Sequence, residues 1–339
     1  MGGRRRRPPV PSPVYDFYWR FAAERQRIFR SRLGTGTWIT EDPILQRFRF
    51  TNAYRASDRV SQFLIRHVIY DKERSWEDTC LRVVLFKLFN KVETWVSLEE
   101  MVGEINSESF DVNLFATCLG QVREEAGTLY SAAYIMPSAQ VFGSRSKHVN
   151  HVRLVGKMLA EHLPDRLVES ASARDAFQVL LDYPSIGPFL AYQLLTDLSY
   201  TSYLDFNESE FVCPGPGAMD GLCKCFSDPG DMSPTEIIHW TMEGQHSEFE
   251  RRGIEFDDLW GRPLQLIDCQ NLFCEISKYA REAFPHIAGT SQRKRIKQIF
   301  RPVTNPLSAW YPPKWGINEK VDDWLNRSAT SAAALNAPS

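Results

Sequence analysis

Long apolar runs are missing from this 339-residue chain. No stretch approaches the roughly 18–20 uninterrupted residues of a membrane span, which excludes a helical membrane protein. No apolar segment of a secretory leader follows the arginine-rich start. The expected location is therefore intracellular: nuclear in a eukaryotic source, cytoplasmic otherwise. Seven cysteines, odd in number and scattered, make no disulfide framework and imply reduced thiols. Cys213, Cys223 and Cys225 follow no zinc spacing, so no metal site is expected. An excess of positive charge is also lacking. The formal net charge is −2 even with Arg4–Arg7 counted, so contact with nucleic acid must come from local patches. The phosphate-binding pattern Gly-x-x-x-x-Gly-Lys-Ser/Thr is absent. Alternating strand patterns with hairpin turns are nearly absent too. The fold class that remains is all-α, or nearly so.

What is present reads as a series of amphipathic and buried helices. Val14 to Arg32 sets Tyr15, Tyr18, Trp19, Ala22 and Phe29 against a face of arginines. Ser75-Trp76-Glu77-Asp78 has the form of a capping box and opens a buried helix through Leu88. Ser97-Leu98-Glu99-Glu100 predicts the start of a shorter helix. Further helices are expected over Asp111–Glu125, Lys147–His162 and Leu266–Arg281. Ser233-Pro234-Thr235-Glu236 combines a cap, a first-position proline and an acidic third residue. Residues 1–13 read as a disordered basic tail, either an import signal or tether for DNA or a plain solvated tail. Residues 328–339 read as a loose, low-complexity tail. Between them, 14–327 is expected to form a single helical domain.

Four segments could carry chemistry. In the first, a helix ends at Leu181, and Pro184-Ser185-Ile186-Gly187-Pro188 forms a turn into a second helix. Such a turn points unpaired amides outward, which suits a phosphate. Gly187 permits close backbone approach and Pro188 fits the first helical position; an ordinary interhelical turn would look the same. In the second, Asn52, Arg55, Arg59 and Gln62 share a face if the chain is helical from Asn52. Asp58 could then brace Arg55 as a phosphate ligand; the alternative is a surface helix with an ion pair. In the third, Glu208 and Glu210 precede the loop Cys213-Pro214-Gly215-Pro216-Gly217, whose Gly215 and Gly217 could offer amides to phosphate or pyrophosphate. A rigid turn with solvated acids is the other reading. In the fourth, Asp268, Asn271, Glu275 and Lys278 recur along one helix as a polar stripe. Acids pressed together can act as a base while lysine holds an anion; a buried salt-bridge network would give the same pattern. Two basic stretches, one around Lys147 and one at Arg293, Lys294 and Arg295, could contact phosphates. Tyr192, Trp240 and Trp260 could stack on a base or belong to the core.

The hairpin resembles the helix-hairpin-helix of DNA glycosylases, with Ser185 where a second glycine is usual and Phe189 where lysine often stands. Taken together, Phe50–Leu64, Tyr183–Tyr200, Phe211–Gly221 and Leu266–Arg281 resemble the thymine-hypermodification family. That family includes the helical domain of the 5-hydroxymethyluracil DNA kinases and the alpha-glutamyl/putrescinyl-thymine pyrophosphorylases. The resemblance spans roughly residues 14–300 and implies a glycosylase-like helical fold that handles a flipped, modified thymine in DNA. It implies that an activated phosphate on 5-hydroxymethyluracil is replaced by an amine or amino acid. On that reading Arg55 binds the leaving group, Glu210 or Asp268 activates the amine, and Lys278 and Asn271 orient groups. Magnesium would be compatible with acids beside a pyrophosphate. Without a P-loop the chain is not expected to phosphorylate alone, so a separate DNA kinase is an implied partner. Without lysine at Gln178 or Phe189 it is not expected to act as a lyase. Two other readings stay open: a non-catalytic DNA-binding module serving a kinase or oxygenase, and a monofunctional glycosylase.

Overall fold

The computed structural model describes residues 7–37, 40–133, 136–301, 307 and 309–335. The helices in chain order are α1 (Pro13–Thr35), α2 (Pro43–Arg47), α3 (Arg59–Phe63), α4 (Trp76–Phe89), α5 (Val92–Val102), α6 (Val112–Ala126) and α7 (Lys147–Ala160). They continue with α8 (Leu163–Val168), α9 (Ala173–Leu181), α10 (Pro188–Leu198), α11 (Pro216–Cys225), α12 (Pro234–Arg251), α13 (Leu266–Ala283) and α14 (Asn318–Leu335). The sheet among the described residues is one antiparallel pair, β1 (Val10–Pro11) with β2 (Phe226–Asp228). No helix among them is long and apolar enough to cross a membrane. The chain divides into two compact units, where the sequence suggests one body.

The first unit comprises residues 1–58, 208–310 and 315–339. Its core is the aromatic face of α1, where Tyr15, Tyr18 and Trp19 are fully buried. Tyr18 packs 4.6 Å, centroid to centroid, from Phe273 on α13. Glycine sets the tightest helix contact. A Cβ on Gly221 of α11 would lie 1.8 Å from the Phe273 carbonyl oxygen, and one on Gly217 would lie 2.2 Å from Cys274 Sγ. Helix α11 can therefore lie almost backbone to backbone on α13. Ser12 caps α1 and Asp42 caps α2. The capping box of Ser233 and Glu236 opens α12 as the sequence predicts.

Two expectations about the tails differ from the structure. Residues 1–6 lie outside the described residues, but the rest of the basic tail is ordered. Arg7 pairs with Asp228, and Val10–Pro11 joins the sheet. At the other end, α14 runs to Leu335, past the predicted limit at 327. Its alanine-rich sequence costs little side-chain entropy in a helix.

The second unit comprises residues 59–207 and 311–314. Helix α4, capped by Ser75, is buried along most of its length, including two cations. Arg82 donates to the carbonyls of Val68, His67 and Ile105 and to Glu99. Lys87 Nζ lies 2.9 Å from Asp197 on α10. Helix α5 begins at Val92 rather than Ser97, which falls mid-helix. The Thr94 hydroxyl donates to the Leu129 carbonyl and ties down that first turn. Tyr192 belongs to the core of this unit, as Trp260 does to that of the first.

Candidate functional site

The predicted helix from Asn52 does not form. Phe50–Tyr54 is an irregular loop, Arg55–Ser57 a single 3-10 turn, and α3 begins at Arg59. The reason is a competing set of hydrogen bonds. The Asn52 amide donates to Asp58 Oδ1 at 2.8 Å, and Asn52 Nδ2 donates to the Ser57 carbonyl at 2.8 Å. These close the loop on itself. The shared face is lost with the helix. Arg55 is buried in the first unit, whereas Arg59 belongs to the second, is exposed, and lies 3.5 Å from Glu93.

The loop is held from below by α1 and from one side by α13. Arg25 of α1, 2% exposed, donates Nε to the Thr51 carbonyl at 2.8 Å. It also reaches the Phe50 carbonyl and Asn52 Oδ1. The polar stripe of α13 meets the same loop. Asp268 Oδ1 accepts the Arg55 amide at 2.8 Å, while Oδ2 accepts the Gln265 amide at 3.0 Å and caps its own helix. Glu275 Oε2 accepts the Thr51 amide at 2.9 Å and Lys278 Nζ at 2.8 Å. Lys278 sits 4.6 Å above the Phe50 ring. Asn271 is half-buried on the same helix, with no side-chain hydrogen-bond partner among the described residues.

Burial sets the proton affinities here. Desolvation pushes Asp268 up to about 6 and Asp58 up to about 7, against backbone hydrogen bonds that favour the ionised forms. Glu275 adds repulsion to Asp58, while Arg25 and Arg55 offset part of it. Burial likewise lowers Arg25 to about 10. Two carboxyls that titrate near neutrality thus flank one loop, with arginines beside them. This arrangement can exchange protons at physiological pH.

A second cluster adjoins Asp268. Glu208 Oε1 lies 2.7 Å from Arg262 and accepts the Trp315 indole N–H at 3.0 Å. The Arg262 guanidinium stacks on Trp315 at 3.9 Å. Arg262 lowers the proton affinity of Asp268 and Glu208 raises it, so the three are electrostatically one group. Sequence reasoning found Glu208 but missed Arg25, Arg262 and Trp315. An arginine on a polar helix face and a lone Trp-Gly-Arg-Pro run carry no spacing signal.

Glu210 is exposed in the first unit. The Gly215–Gly217 phosphate cradle is not formed: Gly215 is buried as the cap of α11, and Gly217 makes room for Cys274. The hairpin does form in the second unit, with Pro188 opening α10 and Gly187 as its cap. Gly187, Pro188 and Phe189 are exposed and Ile186 is buried, with Pro184 between these extremes. Ser185 takes φ +70°, a left-handed conformation that favours glycine. Lys147 lies 4.2 Å over the Tyr130 ring, while Arg293, Lys294 and Arg295 are exposed in the first unit. No group of three or more His, Cys, Asp or Glu that could hold a metal occurs among the described residues.

Residues 12–289 match the family described as 5-hmdU DNA kinase, helical domain. A curated relative, the 5-hmdU DNA kinase of Bacillus phage SP10, is 26% identical over 299 residues, covering 81% of this chain. The chain spans about half the length of that relative, 46%. No solved structure matches the chain.

Proposed function

Because the chain belongs to the 5-hmdU DNA kinase helical-domain family, we propose that it acts in thymine hypermodification. Its substrate would be DNA bearing a 5-hydroxymethyluracil whose hydroxyl carries phosphate or pyrophosphate. The reaction replaces that group with an amine or amino acid. The amine nitrogen bonds to the 5-methylene carbon, the carbon–oxygen bond breaks, and the phosphate or pyrophosphate leaves with the electron pair. The proton lost from nitrogen passes to a carboxylate. The observation that carries this reading is the convergence of loop 50–58 and α13, which sets Asp58 and Asp268 near neutrality beside Arg25 and Arg55. A base is most effective when its proton affinity lies near the working pH.

In this reading Asp268, or Glu210 from the loop that follows Glu208, takes the proton. Asn271 and Lys278 orient the incoming amine, and Arg55 with Arg262 neutralises the leaving group. The base must leave the helix stack before such chemistry. The exposed amides at the start of α10 would grip the backbone of the strand. No P-loop lies within these 339 residues, so in this reading phosphorylation is the work of a kinase outside them.

One observation favours a second reading, a DNA-binding module without catalysis. Both Asp268 oxygens and Glu275 Oε2 already accept backbone amides, which is what staples of a loop would do. The two readings separate on incubation with 5-hydroxymethyluracil DNA, unphosphorylated, phosphorylated and pyrophosphorylated, together with amine donors. Nucleoside mass spectrometry should show a mass gain on an activated substrate only. Retained binding with no new mass would support the module, and release of a free base would indicate a glycosylase.

A further inference from the structure

Residues 290–301, beyond the last residue of the family match, form half of a basic ribbon whose other half lies just before the loop of the site. Phe48 and Ile299 form an antiparallel bridge. The Arg49 amide donates to the Gln298 carbonyl, and the Phe300 amide to the Arg47 carbonyl, each at 3.0 Å. The ribbon is anchored along its length. Phe48 and Ile296 are buried, and Arg281 of α13 donates to the Arg295 carbonyl. At its start the Ser291 amide donates to Asp220 at 2.6 Å. Asp220 is itself fixed by Ser277 and lies 3.2 Å from Lys224. A Cβ on Gly289 would lie 2.2 Å from Asp220 Oδ1, so the segment is seated against that network.

What the ribbon displays is charge of one sign. Arg47, Arg49, Arg293, Lys294, Arg295 and Lys297 are all exposed, and none has an ion-pair partner among the described residues. No Asp or Glu occurs in Pro43–Ser57 or in Gly289–Arg301, although the whole chain carries a net charge of −2. Arg47, the last residue of α2, and Arg49 flank the buried Phe48 in the chain, with the Arg47 guanidinium 4.9 Å from the Phe48 ring. A DNA strand repeats its charge every ~3.4 Å along the axis. Two hydrogen-bonded segments bearing mostly arginine cations suit such a polyanion, because guanidinium forks match phosphate oxygens. Ile299 is the one large apolar side chain exposed on these two segments, too little for insertion into a lipid surface.

We propose that this ribbon is a sequence-independent binding surface for the phosphodiester backbone of DNA, leading the strand toward loop 50–58 in the same unit. The inference rests on the DNA reading above and adds a surface of which one half, residues 290–301, lies outside the family match. Its test is fluorescence anisotropy of the full chain with 5-hydroxymethyluracil duplex over a salt series. The quadruple variant R47Q/R49Q/R295Q/K297Q should bind at least ten-fold more weakly at moderate salt. Its log–log salt slope should be shallower by up to about 3.6, at roughly 0.9 per lost phosphate contact. The charge-preserving variant R47K/R49K/R295K/K297R should keep the parent slope. An unchanged slope in the quadruple variant, with the parent binding DNA, overturns the ribbon alone. Absence of DNA binding by the parent overturns the DNA reading beneath it. Ribbon-dependent binding to phosphatidylserine vesicles, with DNA binding unaffected, overturns the assignment to nucleic acid.

Discussion

Gly221→Ala puts the packing of the site-bearing helix to the test. In a helix, alanine stabilises over glycine by about 1 kcal/mol when nothing obstructs it. At Gly221 the added carbon would stand 1.8 Å from the Phe273 carbonyl oxygen and 2.6 Å from its carbon. Even a close carbon–oxygen contact needs about 3.3 Å, so α11 must withdraw from α13 by roughly 1.5 Å. Gaps of about 0.5–1 Å already forfeit a quarter to a half of each dispersion contact. The cost should reach the top of the overpacking range, about 3 kcal/mol, and outweigh the propensity gain. For a unit of this size that is a fall of roughly 6–12 °C in melting temperature. Calorimetry or circular dichroism on the full chain reads it directly. Because α13 carries Asp268, Glu275 and Lys278, the proposed DNA-modifying activity should fall with it. Unchanged or increased stability would refute the argument, since the sign depends on the collision being real.

Gly187→Ala should behave in the opposite way: its Cβ meets nothing within 4 Å and its φ of −87° suits any residue. Stability should change by less than about 1 kcal/mol, the poorer N-cap offsetting the unfolded-state entropy removed, while DNA affinity in anisotropy falls several-fold; unaltered affinity would remove the hairpin from the interface. Arg25→Met leaves the carbonyls of Phe50 and Thr51 and the Asn52 side chain without their buried donor, at a cost of about 3 kcal/mol or more in urea denaturation. A loss below about 1 kcal/mol would mean that the loop does not depend on this arginine. The pH dependence follows from burial. Asp58 and Asp268 hold protons more tightly when folded, so their contribution to stability is complete below about pH 4 and is lost as pH rises through about 6 to 7. Asp58→Asn should therefore gain on the parent in melting temperature between those limits, and parallel curves would refute the raised affinity.

Much of the helical framework was legible because it rests on local physics. Ser75, Asp111 and Ser233 mark helix starts through caps that need only neighbouring amides. The hairpin at Gly187 and the stripe on α13 could be read for the same reason, since turn chemistry and a 3.6-residue period are written in adjacent residues. What the stripe addresses was not legible. Asp268 and Glu275 meet amides of Arg55 and Thr51 more than two hundred positions away, and those partners replace the helix that local spacing predicts from Asn52. Gly217 looked like part of a phosphate cradle because glycine reads the same whether it makes room for an anion or for Cys274.

The sequence by itself therefore determined the helical class, the starts of the helices with strong caps and the absence of a P-loop within these residues, all properties of short windows. The tertiary structure alone decided that Arg25 supports the loop, that Arg262 and Trp315 join Glu208, and that Arg47 and Arg49 lie beside Gln298 and Phe300. These depend on which distant surfaces exclude water from one another. Burial of that kind raises Asp58 and Asp268 toward neutrality, and no pattern of adjacent residues encodes it.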